Sequence, residues 1–274
     1  MEATMDFGGI EERGLVLLGC GKMGSALLQG WLSKGLAAGT VHVRDPQPSE
    51  WLKAQGVHLN EALPEDPAFV LVAVKPQMIG TALPSIAALG GGGTVFLSIA
   101  AGTTMATFAK LLGEGTPIIR AMPNTPAAVG RGITALIGND HVDPGDMDLA
   151  ERLLSVVGQT VRLDDEAQMD AVTAVSGSGP AYVFHLIETL AAAGVAEGLS
   201  PDLALQLARA TVAGAGALAE GSGEDPGQLR VNVTSPGGTT AAALKVLMDE
   251  ETGFPQLLRK AVAAAAARGR ELGK

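Results

Sequence analysis

The sequence predicts an α/β fold: a doubly wound parallel sheet in the first half, followed by an all-helical second half. Three observations lead there. Short, continuously apolar runs alternate with helical spacing up to about residue 165. The pattern G-x-G-x-x-G stands at 19–24, directly after the first apolar run. After Asp165, β-branched runs give way to Ala- and Leu-rich segments of helical period. Alternating elements of the first kind pack as a parallel sheet with helices on both faces.

Each element follows from its own residues. Residues 14–18 (GLVLL) are apolar without interruption, as a strand buried on both faces must be. A helix is expected over 25–33, then strands over 40–43 (TVHV), 69–74 (FVLVAV), 94–99 (TVFLSI) and 117–120 (PIIR). Helices are expected between them near 48–54, 78–89 and 104–112. Residues 133–137 and 160–163 extend the sheet, with a helix near 146–157. In the second half the helical segments are 167–198, 201–220, 238–248 and 255–272, with stop and cap signals at 198–201 and 221–223. Segments 186–195 and 211–219 are apolar nearly all round, which requires cover on every side. Some 110 helical residues cannot easily bury themselves, so this half is expected to pack against a second subunit.

Composition narrows the function classes. The 274 residues carry 19 Lys and Arg against 29 Asp and Glu, a net charge of −10, with no basic face. Nucleic acid and anionic membranes are poor partners for such a surface. One cysteine, Cys20, excludes an intrachain disulfide framework and any Cys-rich metal site, and fits a reducing, cytoplasmic setting. Residues 76–109 carry no charge, but Pro84, the glycines at 90–93 and Gly102 cut them into pieces too short to span a bilayer. The four histidines show no ligand spacing, so no metal site is expected.

The chemistry-bearing motifs sit where strands end. In Gly19-Cys20-Gly21-Lys22-Met23-Gly24, the first glycine permits a tight turn and the second lets backbone approach a pyrophosphate. The third lets helix and strand pack closely. Helix N-terminal amides then face the phosphate charge. Arg44 and Asp45 end the second strand, 20 and 21 residues beyond Gly24. An aspartate there accepts from the ribose hydroxyls of NAD, whereas an arginine accommodates the 2′-phosphate of NADP, so both signals are present at once. Ala73, Val74, Lys75 and Pro76 close the third long strand, and Ala100 and Ala101 follow the fourth, where small side chains leave room for a nicotinamide ring. The loop 122–126 (MPNTP) reads as a rigid wall. In the helical half, 176–180 (SGSGP) calls for a special backbone or close approach, and 235–240 (SPGGTT) resembles a helix start able to seat a carboxylate.

Six ordered blocks, GCGKMG (19–24), AVKPQ (73–77), SIAAG (98–102), RAMPNTPA (120–127), DAVTAVSGSGPAYVF (170–184) and SPGGTT (235–240), together resemble the pyrroline-5-carboxylate reductases. The resemblance runs from Leu15 to about Leu272. It implies an N-terminal Rossmann-type domain, residues 1–165, and a helical dimerisation and substrate domain, residues 166–274, that interlocks with a partner as a homodimer or larger homo-oligomer. It implies NADP or NAD, in reduced form, held by Gly19 to Gly24, Arg44 or Asp45, Ala73 to Pro76, Ala100 and Ala101, and it puts a cofactor-contacting asparagine at Asn60. Substrate contacts would fall to Glu166, Asn232, Ser235, Gly238, Thr239 and Thr240, with Thr240 the catalytic residue beside the ring nitrogen of a cyclic imine. The usual histidine before Pro226 is Asp225 here, and the usual aspartate before Asn232 is Val231, which affects helix ends rather than chemistry.

Two other readings compete. A β-hydroxyacid dehydrogenase or related imine reductase shares the plan, but those dehydrogenases use a lysine in the second domain, and no lysine stands between Lys110 and Lys245. A non-catalytic dinucleotide-sensing module predicts a degraded substrate loop, whereas SPGGTT is intact.

Overall fold

The structure is a computed structural model and describes residues 5–273. The chain forms two compact units, one running up to Gly177 and including the last residues from Ala266, the other Ser178–Ala265.

The first unit holds eight strands: β1 (Leu15–Leu18), β2 (Val41–Arg44), β3 (His58–Leu59), β4 (Phe69–Val72), β5 (Val95–Ser98), β6 (Ile118–Met122), β7 (Gly132–Gly138) and β8 (Gly158–Arg162). They lie in the order β3-β2-β1-β4-β5-β6-β7-β8. All neighbours are parallel except β6 and β7, which pair antiparallel with Ala121 opposite Leu136. The strands expected from apolar runs are all present. β3 was not anticipated, because two residues carry no periodicity. The direction of β7 was not legible either, since a run of side chains does not encode strand polarity.

Alternation along the central strands divides the core in two. Leu15, Leu17, Phe69, Leu71, Val95 and Leu97 face one layer, where α2 (Lys22–Ser33) contributes Leu27, Leu28 and Trp31 and α6 (Pro144–Ser155) contributes Leu149, Leu153 and Leu154. Trp31 donates its indole N–H to the Leu153 carbonyl at 2.8 Å, so its one polar atom is satisfied in the core. Val16, Leu18, Val70, Val72 and Phe96 face the other layer, with Ile79, Leu83, Phe108 and Leu112. Burial on both faces is what the unbroken apolar runs demanded.

The connecting helices are less regular than expected. A short α1 (Ile10–Arg13) precedes β1, and α3 (Glu50–Lys53), capped by Ser49, follows β2. The helix expected over 78–89 is instead a 3₁₀ turn (Pro76–Met78), one turn of α-helix, α4 (Ile79–Ala82), and two further 3₁₀ turns. Pro84 lacks the N–H and its ring crowds the preceding turn, which breaks the ladder. α5 (Met105–Leu112) is capped by the Thr104 hydroxyl, which accepts from Thr107 N–H. The helix expected from 167 is likewise divided into a 3₁₀ turn (Glu166–Gln168), α7 (Met169–Val172) and a π-turn (Thr173–Gly177). Of the SGSGP segment, Ser176 and Gly177 close this π-turn, while Gly179 and Pro180 begin the next helix. The Ser176 hydroxyl donates back to the Val172 carbonyl, and Asn124 of the MPNTP loop donates to the Ser176 carbonyl at 3.1 Å while accepting from Ile133 N–H.

The second unit is helical: α8 (Gly179–Ala196), α9 (Pro201–Ser222), α10 (Pro226–Asn232), α11 (Thr239–Leu247) and α12 (Phe254–Leu272), whose last turns belong to the first unit. Pro180, Pro201 and Pro226 each stand in a first turn, where the missing N–H costs nothing. α8 and α9 pack as a hairpin. Only Ala204 and Ala208 of α9, and no residue of α8, are buried. Among the described residues no helix is long and apolar enough to cross a membrane.

Candidate active site

The glycine loop joins β1 to α2, and its geometry accounts for each glycine. Gly19 has φ of 87°, and a Cβ there would stand 2.8 Å from Val74 Cγ1 and 3.1 Å from the Ala73 carbonyl. Gly24 abuts the Gly19 carbonyl, where a Cβ would come to 2.7 Å. Around Gly21, in contrast, nothing lies within 4 Å of the Cβ position. Gly21 is also the N-cap of α2 and offers no side chain to the first-turn amides of Lys22, Met23 and Gly24. A cradle of backbone N–H groups at a helix N-terminus, with open space above its middle glycine, fits a pyrophosphate.

The loop is tied to the end of β2. Gly19 N–H donates to the Arg44 carbonyl at 2.8 Å, and Cys20 N–H donates to Asp45 Oδ2 at 2.7 Å. Asp45 Oδ1 accepts from Gln47 N–H at 2.8 Å. Arg44 donates from Nη1 to the Asn60 carbonyl at 3.2 Å. Cys20 itself is buried, with its sulfur 3.5 Å from the Ser25 hydroxyl. Burial pushes its thiol pKa up, the Ser25 hydrogen bond opposes this, and the Asp45 charge adds to it. Such a thiol is a packing group rather than a nucleophile.

Ala73 and Val74 continue β4 past the sheet, with Ala73 N–H on the Leu18 carbonyl at 2.8 Å, so this backbone borders the glycine loop directly. Lys75 is exposed and precedes Pro76, which opens the 3₁₀ turn. Ala100 is buried and donates to Ser98 Oγ at 3.2 Å, with Ala101 half-buried beside it. These residues gather at the C-terminal ends of β1, β2, β4 and β5, flanking the point where strand order reverses between β1 and β4. Ligands of open α/β sheets bind in that crevice.

Glu166, expected among substrate contacts, lies in the first unit and is engaged. Its Oε1 accepts from Arg120 Nη1 at 2.8 Å and from Met105 N–H at 2.9 Å, at the start of α5. The Arg120 side chain is 6% exposed and that of Glu166 26%. Sequence reasoning gave Arg120 no role; its signal was a charged residue inside an otherwise apolar strand.

In the second unit, Ser235 to Thr240 form the turn that starts α11. Gly237 has φ of 72°, Gly238 N–H donates to the Ser235 carbonyl at 3.0 Å, and the N-cap Gly238 brings no side chain to the helix amides. Thr239 and Thr240 open the helix, Thr240 half-buried. This is the helix start that SPGGTT predicted, with hydroxyls and unpaired first-turn amides in one turn. Asn232, also expected at substrate, donates to Glu224 Oε2 at 3.0 Å and accepts from Gln228 at 2.7 Å, so both ends of its amide are in use. Asp225 caps α10 through Gly227 and Gln228 N–H groups, which is where the departure from histidine takes effect. Among the described residues no group of three or more His, Cys, Asp or Glu side chains could hold a metal ion.

The fold and this crevice define a dinucleotide-dependent oxidoreductase with a helical second unit. Comparison with known proteins makes the class specific. The family described as pyrroline-5-carboxylate reductase dimerisation matches residues 166–272, and NADP oxidoreductase, coenzyme F420-dependent, matches 15–102. The pyrroline-5-carboxylate reductase of Pseudomonas aeruginosa is 38% identical, over 95% of this chain and 97% of its own length. That of Methanosarcina acetivorans is 36% identical, over 97% and 100%. A solved pyrroline-5-carboxylate reductase from Coxiella burnetii superposes with a TM-score of 0.89 at 34% identity, covering 96% of this chain and 99% of that one. The Plasmodium falciparum enzyme, solved with NADP bound, gives 0.83 at 29% identity over 96% and 99%. The chain belongs to the pyrroline-5-carboxylate reductase family.

Proposed function

We propose that this protein reduces 1-pyrroline-5-carboxylate to L-proline with NADPH or NADH, the closing step of proline biosynthesis. The observation that carries this reading is end-to-end membership in the family together with an intact Ser-Pro-Gly-Gly-Thr-Thr turn at the uncapped start of α11. When bound, the reduced nicotinamide supplies the hydride that the imine carbon accepts. The rest falls to the chain. Amides of Lys22 to Gly24 hold the pyrophosphate, and backbone from Ala73 to Pro76 with Ala100 and Ala101 lines the crevice. Ser235 and the first-turn amides of Thr239 and Thr240, beside the N-cap Gly238 that brings no side chain, seat the substrate carboxylate, since a helix N-terminus favours negative charge. Glu166 and Asn232 complete the substrate set implied by the family, with side chains already fixed by Arg120 and by Glu224 and Gln228.

Hydride addition leaves the ring nitrogen needing one proton, and a protonated imine is the better acceptor. In this reading Thr240 takes that role. A hydroxyl is too weak an acid to give up its proton outright, so Thr240 orients the nitrogen and relays a proton that solvent replaces.

Residues 1–165 serve the dinucleotide and 166–274 serve substrate and dimerisation in this reading. Support for a homodimer or larger homo-oligomer comes from the dimerisation match and from α8, an apolar helix with no buried residue. A single, buried cysteine and a need for reduced dinucleotide favour work in the cytoplasm. The test is steady-state reduction of pyrroline-5-carboxylate with NADPH and NADH in parallel. Turnover with either supports the assignment, and turnover with neither removes it.

A further inference from the structure

A chain of hydrogen bonds runs from the edge strand β3 to the glycine loop. Asn60, the residue after β3, has φ of 57°, the one positive value outside glycine among the described residues. Asparagine tolerates this region better than other non-glycine residues. Its N–H donates to the Val43 carbonyl at 2.8 Å, which continues the ladder with β2. Its side chain then pairs with the backbone of the next β2 position as a neighbouring strand would. Nδ2 donates to the Asp45 carbonyl at 2.9 Å, and Oδ1 accepts from Asp45 N–H at 3.0 Å. Both ends of the Asn60 amide are therefore occupied by Asp45.

Asp45, held this way, turns one carboxylate oxygen to Cys20 N–H inside the glycine loop and the other to Gln47 N–H. A carboxylate has about four acceptor sites, and these two amides engage one on each oxygen, which fixes its orientation toward the loop. Here one oxygen points back into the loop and the other caps the following turn. The Arg44 guanidinium stands at the same strand end, tethered through one nitrogen to the Asn60 carbonyl.

We propose that Asn60 is a positioning residue for dinucleotide binding: its side chain fixes Asp45, whose carboxylate braces the glycine loop through Cys20 instead of reading the adenosine ribose. The inference rests on the reading that this loop holds a dinucleotide. It assigns selection between NADP and NAD to Arg44, not Asp45.

The test is calorimetric binding of NADP⁺ and NAD⁺ to the full chain and two variants. Asp45→Asn removes the charge while leaving one oxygen acceptor. With Asp45 as a brace, both dinucleotides weaken together, and the ratio of their Kd values stays within about threefold of wild type. With Asp45 as the ribose acceptor, losing the carboxylate and its repulsion of the 2′-phosphate moves that ratio toward NADP⁺ by more than threefold, which overturns the proposal. Asn60→Gly keeps the positive φ free of strain and deletes only the clamp. Both Kd values are then expected to rise together, by about tenfold, for the two hydrogen bonds lost. A rise under threefold, or one confined to a single dinucleotide, overturns the positioning role. Wild-type chain that binds neither dinucleotide overturns this inference together with the reading beneath it, whereas binding without turnover of pyrroline-5-carboxylate removes only the catalytic assignment.

Discussion

Thr240 and Cys20 illustrate how far a single side chain's surroundings decide its chemistry. Thr240 opens α11 beside two glycines and accompanies amides that no side chain caps. Its replacement by alanine keeps the helix and deletes the hydroxyl. Thr240→Ala is expected to lower kcat about ten- to a hundredfold, at or under the low end of the ~100-fold typical of a positioned acid, because a hydroxyl relays and orients rather than donates outright. Dinucleotide affinity measured by calorimetry should not change, and unchanged turnover would remove Thr240 from the mechanism. Cys20 sits in the dinucleotide loop, yet burial pushes its thiol up, so little thiolate exists near neutral pH. Iodoacetamide at pH 8 is expected to leave it intact in the folded chain and to alkylate it rapidly in urea, read by intact mass. Rapid alkylation without urea would show an exposed, activated thiol and contradict the packing role.

Two elements join distant parts of the first unit through charge, and each makes a stability prediction. Arg120 on β6 and Glu166 after β8 form a pair whose arginine is nearly fully buried, and the same Glu166 oxygen receives the first amide of α5. Glu166→Ala leaves the guanidinium and that amide without their acceptor. The expected loss is about 2 kcal/mol in urea denaturation, below the ~3–5 kcal/mol of a fully buried pair because a quarter of Glu166 reaches water. Arg120→Met with Glu166→Met should recover most of it, since an apolar pair leaves no stranded charge. At the other edge, His42 on β2 stacks on His58 of β3, ring centroids 4.4 Å apart. Burial first, then the His58 charge, lower the His42 pKa, against the pull of the Ala62 carbonyl and Glu61. A lowered folded value means that the unfolded chain binds more protons in the window just below the ordinary imidazole pKa. Stability is thus fully present above that value and falls as pH drops through it toward the folded one. His42→Gln should flatten the pH dependence of the urea midpoint between pH 7.5 and 5.5. The same elements mark what the sequence could tell. Val41 and Val43 declared β2 by alternation, but His58 and Leu59 are too few to declare β3, and the Asn60 clamp depends on a tertiary neighbour that local pattern does not encode. Glycine spacing located the loop at 19–24, whereas the engagement of Asp45, Glu166 and Asn232 by other side chains and amides became visible only with the fold.

Apolar surface over the whole molecule is unevenly placed. Of the twenty-three large hydrophobic residues exposed among the described residues, seventeen lie within Ser178–Ala265, a third of the chain. Phe184 is 59% exposed on α8 and Leu207 48% on α9, and α8 buries none of its eighteen residues. A monomer rarely carries apolar patches beyond a few hundred Å². The same stretch matches a dimerisation family, so another copy of the chain is the cover expected for these helices. Permanent interfaces of that kind bury about 2,000 Å² or more and resemble a divided core, so they tolerate charge poorly at their centre. Light scattering at micromolar concentration is therefore expected to give a dimer or a larger assembly. Phe184→Asp combined with Leu207→Asp should shift it toward monomer, by placing two unpaired carboxylates where apolar contacts would form. Because α8 and α9 have almost no core of their own, the dissociated chain should also lose helical signal at 222 nm while the sheet unit keeps its dinucleotide affinity. A wild-type chain that scatters as a monomer, with its helices intact, would mean that these faces need no cover. It would remove oligomerisation from the proposed function.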